Sequence, residues 1–231
     1  TGRLSGITAH FVPSYLQKNR MPSWETNCIE DWEEKVVSIV EETYQSDMTL
    51  ISGIPPWVQM YFEKLMQKTR KKNMSDVFPN FNLFVTGGVA FEPYSARFQE
   101  LFGKKIPILQ TYPASEGFFA YQDQLDSSEL LLLLDNGIFY EFILTQNYLD
   151  NHPPRLTIKD VEIGVNYALI ISTNAGLWAY SIGDTVMFVS LNPFRIKVSG
   201  RIKHFISAFG EHVIGSEVEN SMEKTILNFG G

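Results

Sequence analysis

The sequence predicts an α/β protein in which a mostly parallel sheet with flanking helices is joined to a β-barrel-like subdomain. Three observations predict it. Up to Gly117, short apolar runs of strand length alternate with stretches whose apolar residues recur at helical spacing, the pattern of a parallel sheet with crossover helices. Beyond Gly117, strand-length runs follow one another closely, as in an antiparallel barrel or small sandwich. The 231 residues, 44% hydrophobic and 13% aromatic, can bury a sizeable core.

Residues 1–30 mix Gly, Ser, Pro and aromatic side chains without a sustained period and read as loop with short strand pieces. From Asp31, the residues Trp32, Val36, Val37, Ile39, Val40 and Tyr44 recur at helical spacing, with Glu33, Glu34, Glu41 and Glu42 on or near the other face; this is an amphipathic helix with good N-terminal charges. A short strand over 48–52 closes at Gly53, and a helical pattern resumes at Trp57 after Pro55-Pro56, where prolines in the first turn are tolerated. Its Met, Trp and aromatic stripe up to Met66 reads as core, with an acyl pocket as the alternative. The basic cluster 68–72 complements the dipole at that helix's end. A strand over 83–86, a helix over about 93–101 stopped by Gly103, and a strand over 106–110 complete the alternation.

After Gly117, residues 130–134 and 138–144 flank Asp135-Asn136-Gly137, which predicts a hairpin around a favoured two-residue turn. Strands are expected over 167–172, 178–181, 185–190 and 195–199, and a helix over 215–227 capped by Ser216. The domain reading is 1–117 for the α/β part, 118–200 for the β-rich subdomain, and 201–231 for a hinge leading into a further domain.

The balance of 19 basic against 26 acidic residues, net −7, argues against non-specific binding to nucleic acid or anionic lipid. Cys28 stands alone, so no intrachain disulfide forms and a reducing, cytoplasmic setting is expected. His10, His152, His204 and His212 lie far apart and lack the ligand spacings of zinc sites. No apolar run approaches a membrane span and no signal peptide shows. The start at Thr1 without methionine and the stop at Gly230-Gly231 read as cuts within a longer protein.

Chemistry concentrates at a few turns. Pro113 and Gly117 restrict the backbone around Ser115 and Glu116, so a hydroxyl and a carboxylate are presented together at a strand end, where α/β sheets bind ligands. By itself, such a pair reads as a solvated turn. Gly87-Gly88 follow a buried-type strand and permit close approach of backbone to a flat ligand such as adenine. Asp184 follows Gly183 at the end of a second strand and suits a ribose, since a carboxylate accepts from both hydroxyls. Arg201 can supply a cation to the same nucleotide.

In this order, the glycine pair, Tyr112-Pro-Ala-Ser-Glu116, Tyr180-Ser-Ile-Gly-Asp184 and Gly200-Arg-Ile-Lys203 resemble the motif series of the adenylate-forming superfamily of acyl-activating enzymes. The wording of Ile51-Ser-Gly-Ile-Pro-Pro-Trp57, Thr86-Gly-Gly-Val-Ala-Phe-Glu-Pro93 and Tyr112-Pro-Ala-Ser-Glu-Gly117 resembles one branch most. That branch is the auxin-responsive Gretchen Hagen family of acyl acid amido synthetases in its bacterial form, and the resemblance covers most of the chain. It implies the N-terminal domain type of an adenylate-forming enzyme. Gly87, Gly88 and Val89 would line the adenine side, Tyr112 would pack on the base, Ser115 would stay near the phosphates, and Glu116 would hold Mg2+. Asp184 would bind the ribose, with Arg201 and Lys203 contacting the nucleotide from the hinge.

The implied reaction is attack of a carboxylate on the α-phosphate of ATP, followed by transfer of the acyl group to an amine such as an amino acid. Both substrates are small molecules; nucleic acid and membrane are not expected partners. The family's Ser/Thr/Gly-rich phosphate loop and most of its C-terminal domain have no counterpart here, so the chain reads as a fragment, inactive by itself. Two rivals stand beside this reading. A serine hydrolase is suggested by Ser115-Glu-Gly117 with His204 or His212 downstream, but Pro113 occupies the first glycine position of a nucleophile elbow. The other is a degenerate family member that only binds a nucleotide or a partner.

Overall fold

The computed structural model describes residues 11–202, together with the backbone of β10 (Ile206–Ala208) and β11 (Glu211–Val213), which pair antiparallel. The helix expected over 215–227, and Lys203, lie outside the described residues. The chain divides into two compact units, Thr1–Thr111 and Tyr112–Gly231.

In the first unit, β1 (Leu50–Ser52), β2 (Leu83–Gly87) and the start of β3 (Ile108–Ala114) run parallel in that order. Helices supply the crossovers, as the alternation predicts. α1 (Trp32–Thr43) starts where Asp31 accepts from the Glu34 N–H at 2.8 Å, an acidic N-cap. α2 (Pro55–Thr69) takes its two prolines in the first turn and ends at Arg70 in the left-handed region. α3 (Ser95–Phe102) stops at Gly103, whose φ is +72°. A Cβ there would lie 2.3 Å from the Asn73 side chain, so both conformation and space demand glycine.

The interior of this unit is largely aromatic. Phe62, fully buried on α2, has Phe81, Phe98 and Phe102 at ring-centroid distances of 5.9, 6.2 and 6.2 Å, all edge-on. The α2 stripe divides: Val58, Tyr61, Phe62 and Leu65 face the core, whereas Trp57 and Met60 stay exposed, with Trp32 against Trp57 and its indole N–H on the Met60 sulfur.

The segment expected as loop with strand pieces instead holds single helical turns at Ser14–Gln17 and Trp24–Asn27. The reason for the second is tertiary. Glu42 of α1 accepts from the Ser23 N–H at 2.7 Å, the Ser23 hydroxyl at 2.6 Å and the Thr26 hydroxyl, clamping a turn too short to hold itself. Burial alone would raise the Glu42 carboxyl pKa, but these bonds override it and hold it below the ordinary 4.5.

The second unit is an antiparallel sheet of β4 (Gly117–Tyr121), β5 (Leu130–Leu132), β6 (Ile138–Leu144), β7 (Asn166–Thr173), β8 (Tyr180–Leu191) and β9 (Phe194–Arg201). Their order is β4-β5-β9-β8-β7-β6. Among the described residues β6 ends this order and does not pair back to β4, so the barrel-like part is an open sheet. β7 is buried on both faces: Tyr167, Leu169 and Ile171 enter the main core, and Ala168 and Ile170 a smaller cluster with Ile143.

Two expectations here are corrected. The chain bends at Asn136-Gly137, with Gly137 at φ +79°, but β5 and β6 do not make a hairpin. β6 pairs along all its length with β7, whereas the short β5 lies between β4 and β9. Non-local pairing prevails because β7 offers β6 a far longer ladder, and Asn136 instead donates to the Phe118 carbonyl at 2.7 Å. The strands expected over 178–181 and 185–190 are one strand, β8, interrupted by a bulge rather than a loop. No helix of the described residues is long and apolar enough to cross a membrane.

Candidate functional site

The bulge in β8 shapes the site. Ala168 pairs with Thr185, but Ile170 pairs with Ser181, so β8 spends residues 182–184 opposite Leu169 alone. Gly183, at φ +81°, carries this excursion in a conformation that side-chain-bearing residues avoid. Asp184 follows it, register partner of Arg201 on β9.

Asp184 is only 7% exposed. A carboxylate at that depth requires partners, and it has two. The Tyr112 hydroxyl donates to Oδ2 at 2.8 Å, and the Arg201 Nε–H donates to Oδ1 at 2.8 Å. Tyr112, on the β3 residues of the second unit, is 6% exposed and packs edge-on to Phe119 at 5.1 Å. Burial pushes its phenol well above the ordinary range, and the Asp184 charge beside it adds to this; the hydroxyl is therefore a standing donor. Arg201 differs: its side chain is 68% exposed, leaving its terminal nitrogens toward solvent. Below this trio the Ser199 hydroxyl donates to Thr185 Oγ1 at 3.0 Å, both side chains buried.

Ser115 and Glu116 form the two-residue turn between β3 and β4, with Ser115 exposed and Glu116 partly so. A nucleophile elbow joins a strand to a helix; here strands lie on both sides, which removes the structural basis of the hydrolase reading. Among the described residues no three carboxylate, His or Cys side chains gather as a metal-ligand set. A single carboxylate in an open turn fits Mg2+, which keeps several waters and takes one or two carboxylates.

The glycine pair belongs to the first unit. Gly87 ends β2 in register with Thr111, whose hydroxyl donates to the Thr86 carbonyl at 2.9 Å. Gly88 has φ +83°, and a Cβ there would meet only Ile54 at 3.8 Å, so conformation rather than space calls for glycine. Gly88 and Val89 are exposed, while the buried Thr86 Oγ1 just before them has no hydrogen-bond partner among the described residues.

Of the expected site residues, the structure thus brings Tyr112, Asp184 and Arg201 into direct contact. Sequence reasoning missed the Tyr112–Asp184 bond, which joins residues 72 apart and leaves no periodic trace. The signal available was Gly183 before Asp184, which marks a bulge.

Comparison with known proteins agrees in fold. Residues 131–201, which contain Asp184 and Arg201, match the GH3 family central domain. A curated relative, the jasmonoyl–L-amino acid synthetase JAR4 of Nicotiana attenuata, is 29% identical over 119 residues, 48% of this chain and 20% of that protein. Among solved structures, the GH3.15 acyl acid amido synthetase superposes with a TM-score of 0.63 at 11% identity, over 90% of this chain and 46% of that one. An open conformation of 2-hydroxyisobutyryl-CoA ligase, solved with 2-HIB-AMP and CoA, gives 0.58 at 13% identity, over 82% and 44%. The chain has a mixed sheet with flanking helices, the fold of these two enzymes. It spans about a fifth of the curated relative and less than half of the solved chains.

Proposed function

We propose that the protein carrying this chain is an acyl acid amido synthetase of the bacterial Gretchen Hagen type, working in the cytoplasm. It would convert a carboxylic acid and ATP to an acyl adenylate, then pass the acyl group to an amine such as an amino acid. In the first step a carboxylate oxygen bonds to the α-phosphorus as the bond to the β-phosphate oxygen breaks, releasing pyrophosphate. In the second, the amine nitrogen bonds to the acyl carbon, the acyl–phosphate oxygen bond breaks, AMP leaves and the nitrogen loses a proton.

The observation that carries this reading is Asp184: a buried carboxylate set out by a glycine bulge and held between Tyr112 and Arg201, inside the segment that matches the GH3 central domain. Its oxygens have lone pairs beyond those its two partners use, enough to accept from vicinal ribose hydroxyls. Arg201, largely exposed, keeps donors for the nucleotide, and Lys203 would act beside it. Gly87, Gly88 and Val89 would border the adenine. Ser115 would orient phosphate oxygens, and Glu116 would hold Mg2+, which supplies charge neutralisation at the phosphates. Residues 201–231 would open the C-terminal domain.

The test is carboxylate-dependent exchange of pyrophosphate into ATP by the full-length protein over a panel of aromatic and aliphatic acids. Exchange with some acid in the wild type, and its loss by orders of magnitude in Glu116→Gln and Asp184→Ala, is the expected result. No exchange with any acid, with AMP still bound, would favour a non-catalytic nucleotide-binding protein instead.

A further inference from the structure

We propose that Tyr112 is a positioning residue for ribose recognition: its buried hydroxyl sets the plane of the Asp184 carboxylate, so that the site selects for an intact ribose. This rests on the nucleotide reading of Asp184 above, and adds to it the group that determines how the carboxylate is presented.

The two partners of Asp184 are unequal. Tyr112 and Arg201 grip different oxygens of Asp184 at the same 2.8 Å. Tyr112 is nearly inaccessible, its ring lodged edge-on against Phe119, so packing rather than ligand fixes the hydroxyl. Arg201 is mostly exposed. The pair is exposed only at its Arg201 end, where a solvated guanidinium exchanges one anion for another at little cost, whereas the buried charge-assisted hydrogen bond from Tyr112 is strong and short of alternatives. A nucleotide can therefore draw Arg201 toward its phosphate while Tyr112 stays on Oδ2. A carboxylate free to turn about its Cβ–Cγ bond loses part of its affinity for two adjacent hydroxyls to the entropy of aligning with them. One anchored at Oδ2 does not. Tyr112 keeps this donor role across the working pH range because its phenol stays protonated.

A ring that packed on the base would behave differently. Tyr112→Phe keeps a stacking ring and removes only the hydroxyl, so the two roles separate on nucleotides that differ only in the sugar. The experiment measures binding of AMP, 2′-deoxy-AMP and 3′-deoxy-AMP to full-length wild type, Tyr112→Phe and Asp184→Ala by calorimetry, with thermal melting as the fold control. Tyr112→Phe is expected to lose about tenfold in affinity for AMP, the scale of one hydrogen bond to a charged group. It should lose less than about twofold for the deoxy forms, so that discrimination shrinks. Equal loss for all three ligands, or no loss, overturns the role of Tyr112 while leaving Asp184 as the ribose acceptor. Should the wild type not prefer AMP over either deoxy form, the ribose reading itself fails and the inference with it. A second measurement needs no variant: in protein labelled at tyrosine Cζ, the Tyr112 resonance should shift with AMP and not with 2′,3′-dideoxy-AMP. A resonance that ignores AMP overturns the proposal even if Tyr112→Phe does not fold.

Discussion

The interiors of the two units differ in one respect, a buried charge. The first is filled largely by phenylalanine rings from two helices, β2 and the segment before it, with Phe62, Phe81, Phe84, Phe98 and Phe102 all buried and linked through a network of ring contacts. The second unit buries a carboxylate, and with it the tyrosine hydroxyl that answers it. Apolar filling is held by volume and tolerates swaps of similar size. A buried charge is held by geometry, and losing one partner leaves the other unsatisfied. Both units hold an apolar core, and the second adds to it a buried charge with its partners.

The contrast can be broken at several points. The largest expected effect is in the first unit: Phe62→Ala removes the ring at the centre of the aromatic cluster and should cost about 3–5 kcal/mol, read as a lowered urea midpoint with unfolding of that unit first. Asp184→Ala should cost about 2–3 kcal/mol, because the Tyr112 hydroxyl is left in the core without an acceptor. If Asp184→Ala proved neutral in urea melts, the carboxylate would not be structurally engaged. Gly103→Ala should cost about 1–2 kcal/mol from its left-handed backbone and the crowding against Asn73; an unchanged midpoint would contradict both.

The smallest effect is the clamp on the N-terminal turn. The folded Glu42 pKa lies below the ordinary 4.5, so its stabilisation is present above that value and is lost as pH falls through the folded one. Glu42→Gln should therefore lower stability by about 1 kcal/mol at neutral pH, and the gap from wild type should close as pH falls through the lowered pKa of the folded carboxyl. A gap that persists unchanged in acid would mean the charge plays no part.

How far the sequence could be read follows the same division. α1, α2 and α3 were legible because their apolar residues recur every three or four positions and their ends are marked by Asp31, Pro55-Pro56 and Gly103. The strand pairing of the second unit was not. The chain does bend at Asn136-Gly137, yet what flanks the bend pairs elsewhere, since partner choice among strands depends on ladders formed across long stretches of chain. In the site, Asp184 and Arg201 could be picked out from their glycine neighbours. That Tyr112 reaches Asp184 could not, because β3 and β8 meet there only through the fold.

Whether Asp184 is the ribose acceptor of an adenylating site is decided by a crystal structure of the full-length protein with AMP and a carboxylic acid. The prediction is a ribose hydroxyl oxygen about 2.6–3.2 Å from the Asp184 carboxylate, with the Tyr112 hydroxyl still on Oδ2. A nucleotide bound elsewhere, with Asp184 closed against Tyr112 and Arg201 as in the free chain, would contradict it.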